Sequence, residues 1–116
     1  LVELIESFDF GRITINGIVY TKDVIITGEK TMAGWMRREG HLLQVADISQ
    51  AIEESAPEVA IVGTGYDGMM SVPEETKLYF QRKGIELLVE KTREACDIFN
   101  VLSRTKRTLA ALHLTC

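Results

Sequence analysis

The sequence of 116 residues holds only two cysteines, Cys96 and Cys116. They are too few for a disulfide framework and lack the Cys-x-x-Cys spacing of a redox or zinc motif. No apolar run approaches the roughly 20 residues of a membrane span, and the opening LVELIES carries acid where a signal peptide carries base. A cytoplasmic protein in a reducing compartment, with no membrane partner, is the expectation. Basic residues are also in deficit, 13 against 17 acidic ones for a net charge of -4. No stripe of them tracks along the chain, so nucleic acid is not an expected partner. Gly-x-Ser-x-Gly is missing, and neither His41 nor His113 has a context that would join Ser71 or Ser103 in a hydrolase triad.

What is present is an ordinary globular composition, 46% hydrophobic and 26% charged, in a length that suits one core. A single globular domain spanning 1–116 is expected, β-rich over 1–46, with a short helix over 47–55 and a βαβαβ unit over 59–114. In ITINGIVY, Ile13 and Ile15 alternate with Thr14 and Asn16 before Asn16-Gly17, a dipeptide suited to the positive φ angles of a tight hairpin. A further strand covers 23–28, and 31–45 is a loop or strand segment carrying the only Trp. Asp47 with Gln50 resembles a capping box for the short helix, which ends before Pro57. After Pro57 the order is strand, helix, strand, helix, strand: 59–62, 71–83, 85–90, 92–103 and 108–114. This alternation implies parallel crossovers. Ser71 with Glu74 forms a capping box, Gly84 supplies a left-handed C-terminal residue, and Thr92 caps the last helix, whose Ala95, Ile98, Phe99 and Leu102 make one apolar face. The strand 59–62 is apolar throughout, as a strand covered on both faces is, and belongs in the sheet centre.

Gly63-x-Gly65-x-x-Gly68 follows that strand with the spacing of a dinucleotide fingerprint, and Glu90 stands 22 residues on, near the place of its ribose-binding acid. The fingerprint, however, needs its third glycine inside the helix, with the helix N-terminus on the pyrophosphate. A helix begun in this loop would hold Pro73 in its interior at a cost of about 3 kcal/mol. Glu74 and Glu75 would also occupy the positive end of the dipole and repel phosphate. The preferred reading makes 63–70 a real loop whose glycines allow a tight turn over the sheet edge, and no cofactor is expected. A smaller ligand at this loop stays open, since open α/β sheets bind at the C-terminal ends of their strands.

Arg37, Arg38, Glu39 and His41 lie within five residues and could receive a carboxylate or phosphate; a solvated strand edge with Arg-Glu pairs is the favoured alternative. His113 and Cys116 are spaced like metal ligands, yet residues i and i+3 of a strand point to opposite faces, so a strand-end His and a frayed thiol are expected and no metal. Asn100, flanking the apolar stripe of the last helix, either bonds backbone inside the fold, as favoured, or faces a pocket. Cys96 is expected to pack as a small hydrophobe.

Over nearly its whole length the chain resembles a known family. The resemblance rests on SFDFGRITINGIVYTKDVII, the Trp35 segment, VAIVGTG, KGIELLVEKTREACDIFNVL and the ending ALHLTC. It is to a small domain family of uncharacterised archaeal and bacterial proteins, whose eukaryotic members include the adipogenesis-associated domain protein and an assembly factor of mitochondrial respiratory complex I. The ending is nearer the former branch. The resemblance implies a three-layer α/β domain with a mixed central sheet and the N-terminal hairpin as an added layer, with no established enzymatic activity. The matching positions are Gly63, Thr64, Gly65, Trp35, Gly84, Thr92, Ala95 and Asn100, and none brings a catalytic role with it. Two readings follow. The favoured one is a non-catalytic interaction or assembly module that meets a protein partner through the Trp35 segment and the glycine loop. In the other, a small metabolite binds at Gly63, Thr64, Gly65, Tyr66 and Asn100, with the Thr64 hydroxyl and loop N–H groups as donors, or at Arg37 and Arg38.

Overall fold

The computed structural model describes residues 3–116; Leu1 and Val2, part of the acidic opening, lie outside the described residues. The strands β1 (Ile5–Asp9), β2 (Arg12–Ile15) and β3 (Ile18–Tyr20) form an antiparallel three-stranded sheet. Asn16 and Gly17, with φ of 48° and 80°, make the expected hairpin turn between β2 and β3.

The main sheet has five strands in the order β5-β4-β8-β6-β7, where β4 is Val24–Thr27, β5 Thr31–Ala33, β6 Val59–Gly63, β7 Glu86–Glu90 and β8 Thr108–Leu112. As the alternation of elements required, β6 runs parallel to both β7 and β8. β4 joins β8 antiparallel and makes the sheet mixed. β6 is interior, though β8 and not β6 takes the middle place, because β4 adds on β8's far side. The helices are α1 (Ser49–Ser55), α2 (Glu74–Arg82) and α3 (Thr92–Leu102), with a 3₁₀ turn over Val45–Asp47 before α1.

Alternation along the strands divides the core between two faces. Val24, Ile26, Val59, Ile61, Ala110 and Leu112 face α3 and the small sheet, meeting Ala95, Cys96, Phe99, Ile5, Ile13 and Ile15. Ile25, Ala60, Val62, Leu109 and Ala111 face the other way, toward Leu43, Ile52 and Phe80. The result is three layers about a sheet buried on both sides.

Three expected helix caps are used differently. Ser71 makes no capping box: its N–H donates to the His41 carbonyl and its own carbonyl accepts from the Leu43 N–H, so α2 begins at Glu74 behind Pro73. The Asp47 carboxylate turns back to the N–H groups of Gln44 and Arg38, and α1 starts two residues later. Thr92 directs its hydroxyl away from its helix, to the residue that follows β8. Asn100 takes the backbone-bonding role favoured for it. Its Oδ1 accepts from the Ile5 N–H at 3.0 Å and its Nδ2 donates to the Ile5 carbonyl at 2.7 Å, fastening β1 to α3.

Replacing this amide strands two partly buried backbone groups. Asn100→Ala is expected to lower unfolding free energy by about 1–3 kcal/mol in urea titration. Amide exchange should accelerate first in β1, and an unchanged β1 would show that the pair does not fasten the strand.

Candidate functional site

Where an open α/β sheet leaves a crevice, at the C-terminal ends of its parallel strands, this chain places residues 113–116. The His113 N–H donates to the Gly63 carbonyl at 3.0 Å, and the Leu114 N–H to Asp23 Oδ1 at 2.8 Å. The Leu114 carbonyl accepts from the Gly11 N–H at 2.8 Å, while those of Thr115 and Cys116 accept from the N–H groups of Tyr66 and Met69 at 2.7 and 2.8 Å. The thiol-bearing residue is therefore tethered through its backbone and is not a frayed end. The strand has ended at Leu112, so strict alternation no longer applies: His113 and Cys116, expected on opposite faces, both meet His41.

The glycine loop is shaped by this segment. A Cβ on Gly65, whose φ is 113°, would lie 2.7 Å from backbone atoms of Thr115 and Cys116, and one on Gly63 would lie 2.8 Å from Thr92 Oγ1. These glycines serve close approach of the chain to itself, beyond the tight turn expected of them. Thr92 Oγ1 donates to the His113 carbonyl at 2.6 Å and accepts from the Gly65 N–H at 2.8 Å. Thr64 spends both its N–H and its hydroxyl on the Glu90 carbonyl. The N–H groups of Thr64, Gly65, Tyr66, Gly68, Met69 and Met70 thus all donate within the chain. Tyr66 alone of the loop candidates presents its side chain, 43% exposed, to solvent and to Phe10 and Arg93. Asn100 directs its Oδ1 and Nδ2 to Ile5 of β1 and not to the loop.

A second cluster stands beside the segment. Arg37, expected on a solvated edge, has a side chain only 3% exposed and binds Asp23 Oδ2 through Nη2 at 2.9 Å. Its Nε and Nη2 donate to the Gly40 carbonyl, and its guanidinium lies 4.6 Å over the Trp35 ring. Arg38 is exposed and enters through its backbone N–H, which donates to Asp47. His113 Nδ1 lies 2.8 Å from Asp23 Oδ2 and 3.1 Å from Arg37 Nη2. Because the two Nη2 hydrogens are taken by Gly40 and Asp23, the imidazole proton sits on Nδ1 and is donated to Asp23. Burial pushes the Asp23 carboxyl up, but hydrogen bonds from His113, Leu114 N–H and Arg37 outweigh it and hold the pKa below its ordinary value. No local pattern marks Asp23's part, since one acid ahead of an apolar strand is common; only the antiparallel pairing of β4 with β8 brings it to His113. Among the described residues no group of three or more His, Cys, Asp or Glu side chains is placed to hold a metal.

A cavity of about 620 Å³ lies elsewhere, between Gly28, Pro57 and Lys106 at the opposite end of the parallel strands. The clustered chemistry faces the other end.

Two outcomes test the site. Thr92→Val leaves the Gly65 N–H and His113 carbonyl without their partner and is expected to cost about 1–3 kcal/mol, whereas Thr92→Ser keeps the hydroxyl and most of the stability. Since the folded pKa of Asp23 is lowered, its contribution is present above the ordinary carboxylate pKa and lost as pH falls through the folded value. Melting temperature should therefore drop on acidification in that range, and Asp23→Asn should flatten this part of the profile.

The fold has solved counterparts. Conserved hypothetical protein PH1505 of Pyrococcus horikoshii OT3 is 29% identical with a TM-score of 0.81, over 97% of this chain and 98% of that one. A protein described as an outer membrane protein from Bartonella henselae is 24% identical with a TM-score of 0.83, over 99% and 97%. A Bordetella pertussis protein described as a Mth938-like domain is 18% identical with a TM-score of 0.74, over 97% and 85%. Residues 5–113 match the family described as "Protein of unknown function (DUF498/DUF598)"; a chain of this fold, matched over almost its full length, belongs to that family.

Proposed function

We propose that the chain is an interaction module without catalytic turnover. The observation that supports this most is the state of the glycine loop, where the N–H groups of Thr64, Gly65, Tyr66 and Gly68 are spent on the chain itself and not left for a metabolite. The Thr64 hydroxyl donates to the Glu90 carbonyl, and the Asn100 amide is engaged with Ile5. The weaker reading, a small metabolite held at Gly63 to Gly68, keeps few backbone donors for its ligand.

Of the two parts expected to carry the contact, the Trp35 segment and the glycine loop, this reading rests on the loop. Trp35 is half-buried against the second core, and its indole N–H donates to the Asp47 carbonyl at 2.9 Å. Beside the loop, Phe10, Tyr66 and Met69 are 53%, 43% and 56% exposed. Tyr66 packs on Phe10 at 5.7 Å and on Phe8 at 6.2 Å between centroids, with the Arg93 guanidinium 5.8 Å over its ring. Rigid aromatics with an arginine are the side chains that carry protein interfaces. The partner proposed is a protein offering an apolar pocket rimmed by acid. No helix among the described residues is long and apolar enough to cross a membrane. A cytoplasmic location and kinship with the eukaryotic adipogenesis-associated branch, suggested by the ALHLTC ending, form part of the same reading.

Native mass spectrometry of freshly purified protein is expected to show chain masses without a stoichiometric small molecule. A photo-crosslinking residue at Tyr66 should give discrete protein adducts in cells, and the same residue at Gln81, on the far side of α2, should not. A bound metabolite, or adducts indifferent to position, would sink the proposal.

A further inference from the structure

The two sheets end in four edge strands, and the fold protects three of them. β1 carries a bulge between Ile5 and Ser7 and is fastened to α3 through Asn100. β3 and β5 are three residues long. β7 is different: five residues, Glu86-Leu-Leu-Val-Glu90, pair with β6 in unbroken register, with no proline, lysine or bulge to blunt the other side. The Glu86 N–H donates to the Glu58 carbonyl at 3.1 Å, and the Glu90 carbonyl accepts from the Thr64 N–H at 2.9 Å. Glu86, Leu88 and Glu90 therefore turn their backbone groups to β6. Leu87 and Val89 lie between them and turn theirs outward, where no partner meets them among the described residues. Glu86, Val89 and Glu90 are exposed, and Leu87 and Leu88 half-buried.

Alternation sets Glu86 and Glu90 on the same face as Leu88, which packs on the core under α3. Neither acid has an ion-pair partner among the described residues. Of the cations flanking β7 in sequence, Lys83 is paired with Glu53, the Lys91 stem lies over Gly68, and Arg93 covers the Phe8 and Tyr66 rings. A second copy laid antiparallel along the whole strand would set Glu86 opposite Glu90 twice. Like charges directly opposite destabilise a strand pair, so the edge is closed to itself and suited to a strand of the other sign.

We propose that β7 is a strand-addition site for an extended protein segment of the pattern basic-x-apolar-x-basic. The added strand runs antiparallel. Its two x residues exchange backbone hydrogen bonds with Leu87 and Val89, its apolar residue lies against Leu88, and its basic residues face Glu86 and Glu90. These three side-chain pairs are the closer, non-hydrogen-bonded kind, so the charges meet at short range. The site is separate from the Tyr66 surface and stands whether or not that surface binds.

The test titrates the folded full chain with three acetylated, amidated heptapeptides: SKTVTKS, its acidic counterpart SETVTES, and SKTVTKS with both threonine nitrogens methylated. Amide exchange at Leu87 and Val89 is read by NMR. The basic peptide is expected to slow exchange at both amides and to bind about tenfold more tightly than the acidic one, as two cross-strand charge pairs supply. The methylated peptide, which keeps the charge and loses the donors, should give no such protection. Glu86→Lys with Glu90→Lys, changes at exposed side chains, should reverse the preference to the acidic peptide at an unchanged melting temperature. No slowing at Leu87 and Val89, equal binding of the methylated peptide, protection confined to other strands, or an unreversed preference would each overturn the proposal.

Discussion

The hydroxyl of Thr92 joins three parts of the chain that no other group connects so directly: the start of α3, the glycine loop and the segment after β8. It accepts from Gly65 and donates to His113, both inside the fold. A hydroxyl offers one donor and more than one acceptor site, so this single group satisfies two buried backbone partners of opposite kind. The geometry also explains Gly63. Any side chain there would meet Thr92 Oγ1 and Leu112 at 2.8 and 2.9 Å, and α3 could not lie so close to β6.

From that junction the ordering spreads to Asp23. Its Oδ1 receives the Leu114 N–H while Oδ2 receives His113 and Arg37. One carboxylate thereby holds the segment after β8, the imidazole and the loop that follows β5. Burying such a charge is unfavourable unless its lone pairs are filled, and here three donors fill them. The lowered pKa of Asp23 is the expression of that balance. Arg37 is neutralised on one side by Asp23 and covered on another by Trp35, so the cluster is rigid on its inner face while His41 and Cys116 remain reachable on its outer face.

Local patterns carried much of the fold. The Asn16-Gly17 hairpin, the uniformly apolar β6 and the periodic face of α3 each depend on neighbours in sequence, and each formed as their residues require. The proline argument likewise separated the glycine loop from a dinucleotide fingerprint, since α2 starts only at Glu74. The site was far less legible. Thr92 and Ser71 have the composition of caps, but long-range partners, His113 and His41, claimed them. Arg37 looked like a surface residue because its partner Asp23 is brought near by strand pairing, which periodicity does not reveal. His113 and Cys116 were separated by an alternation rule that stops where the strand stops.

The same long-range pairing decides what kind of site this edge provides. In an open parallel sheet the crevice exists because neighbouring crossovers leave in opposite directions, exposing backbone donors to a ligand. Here β4 pairs antiparallel with β8, so Asp23 reaches the crevice from the side opposite the glycine loop. The segment after β8 is caught between the two and takes up two of the loop's donors, the N–H groups of Tyr66 and Met69. What remains chemically available is displaced from the crevice onto side chains: the Tyr66 ring on one flank, the Cys116 thiol with His41 on the other. Where an open parallel sheet presents backbone donors to a ligand, this edge presents an aromatic face and a thiol.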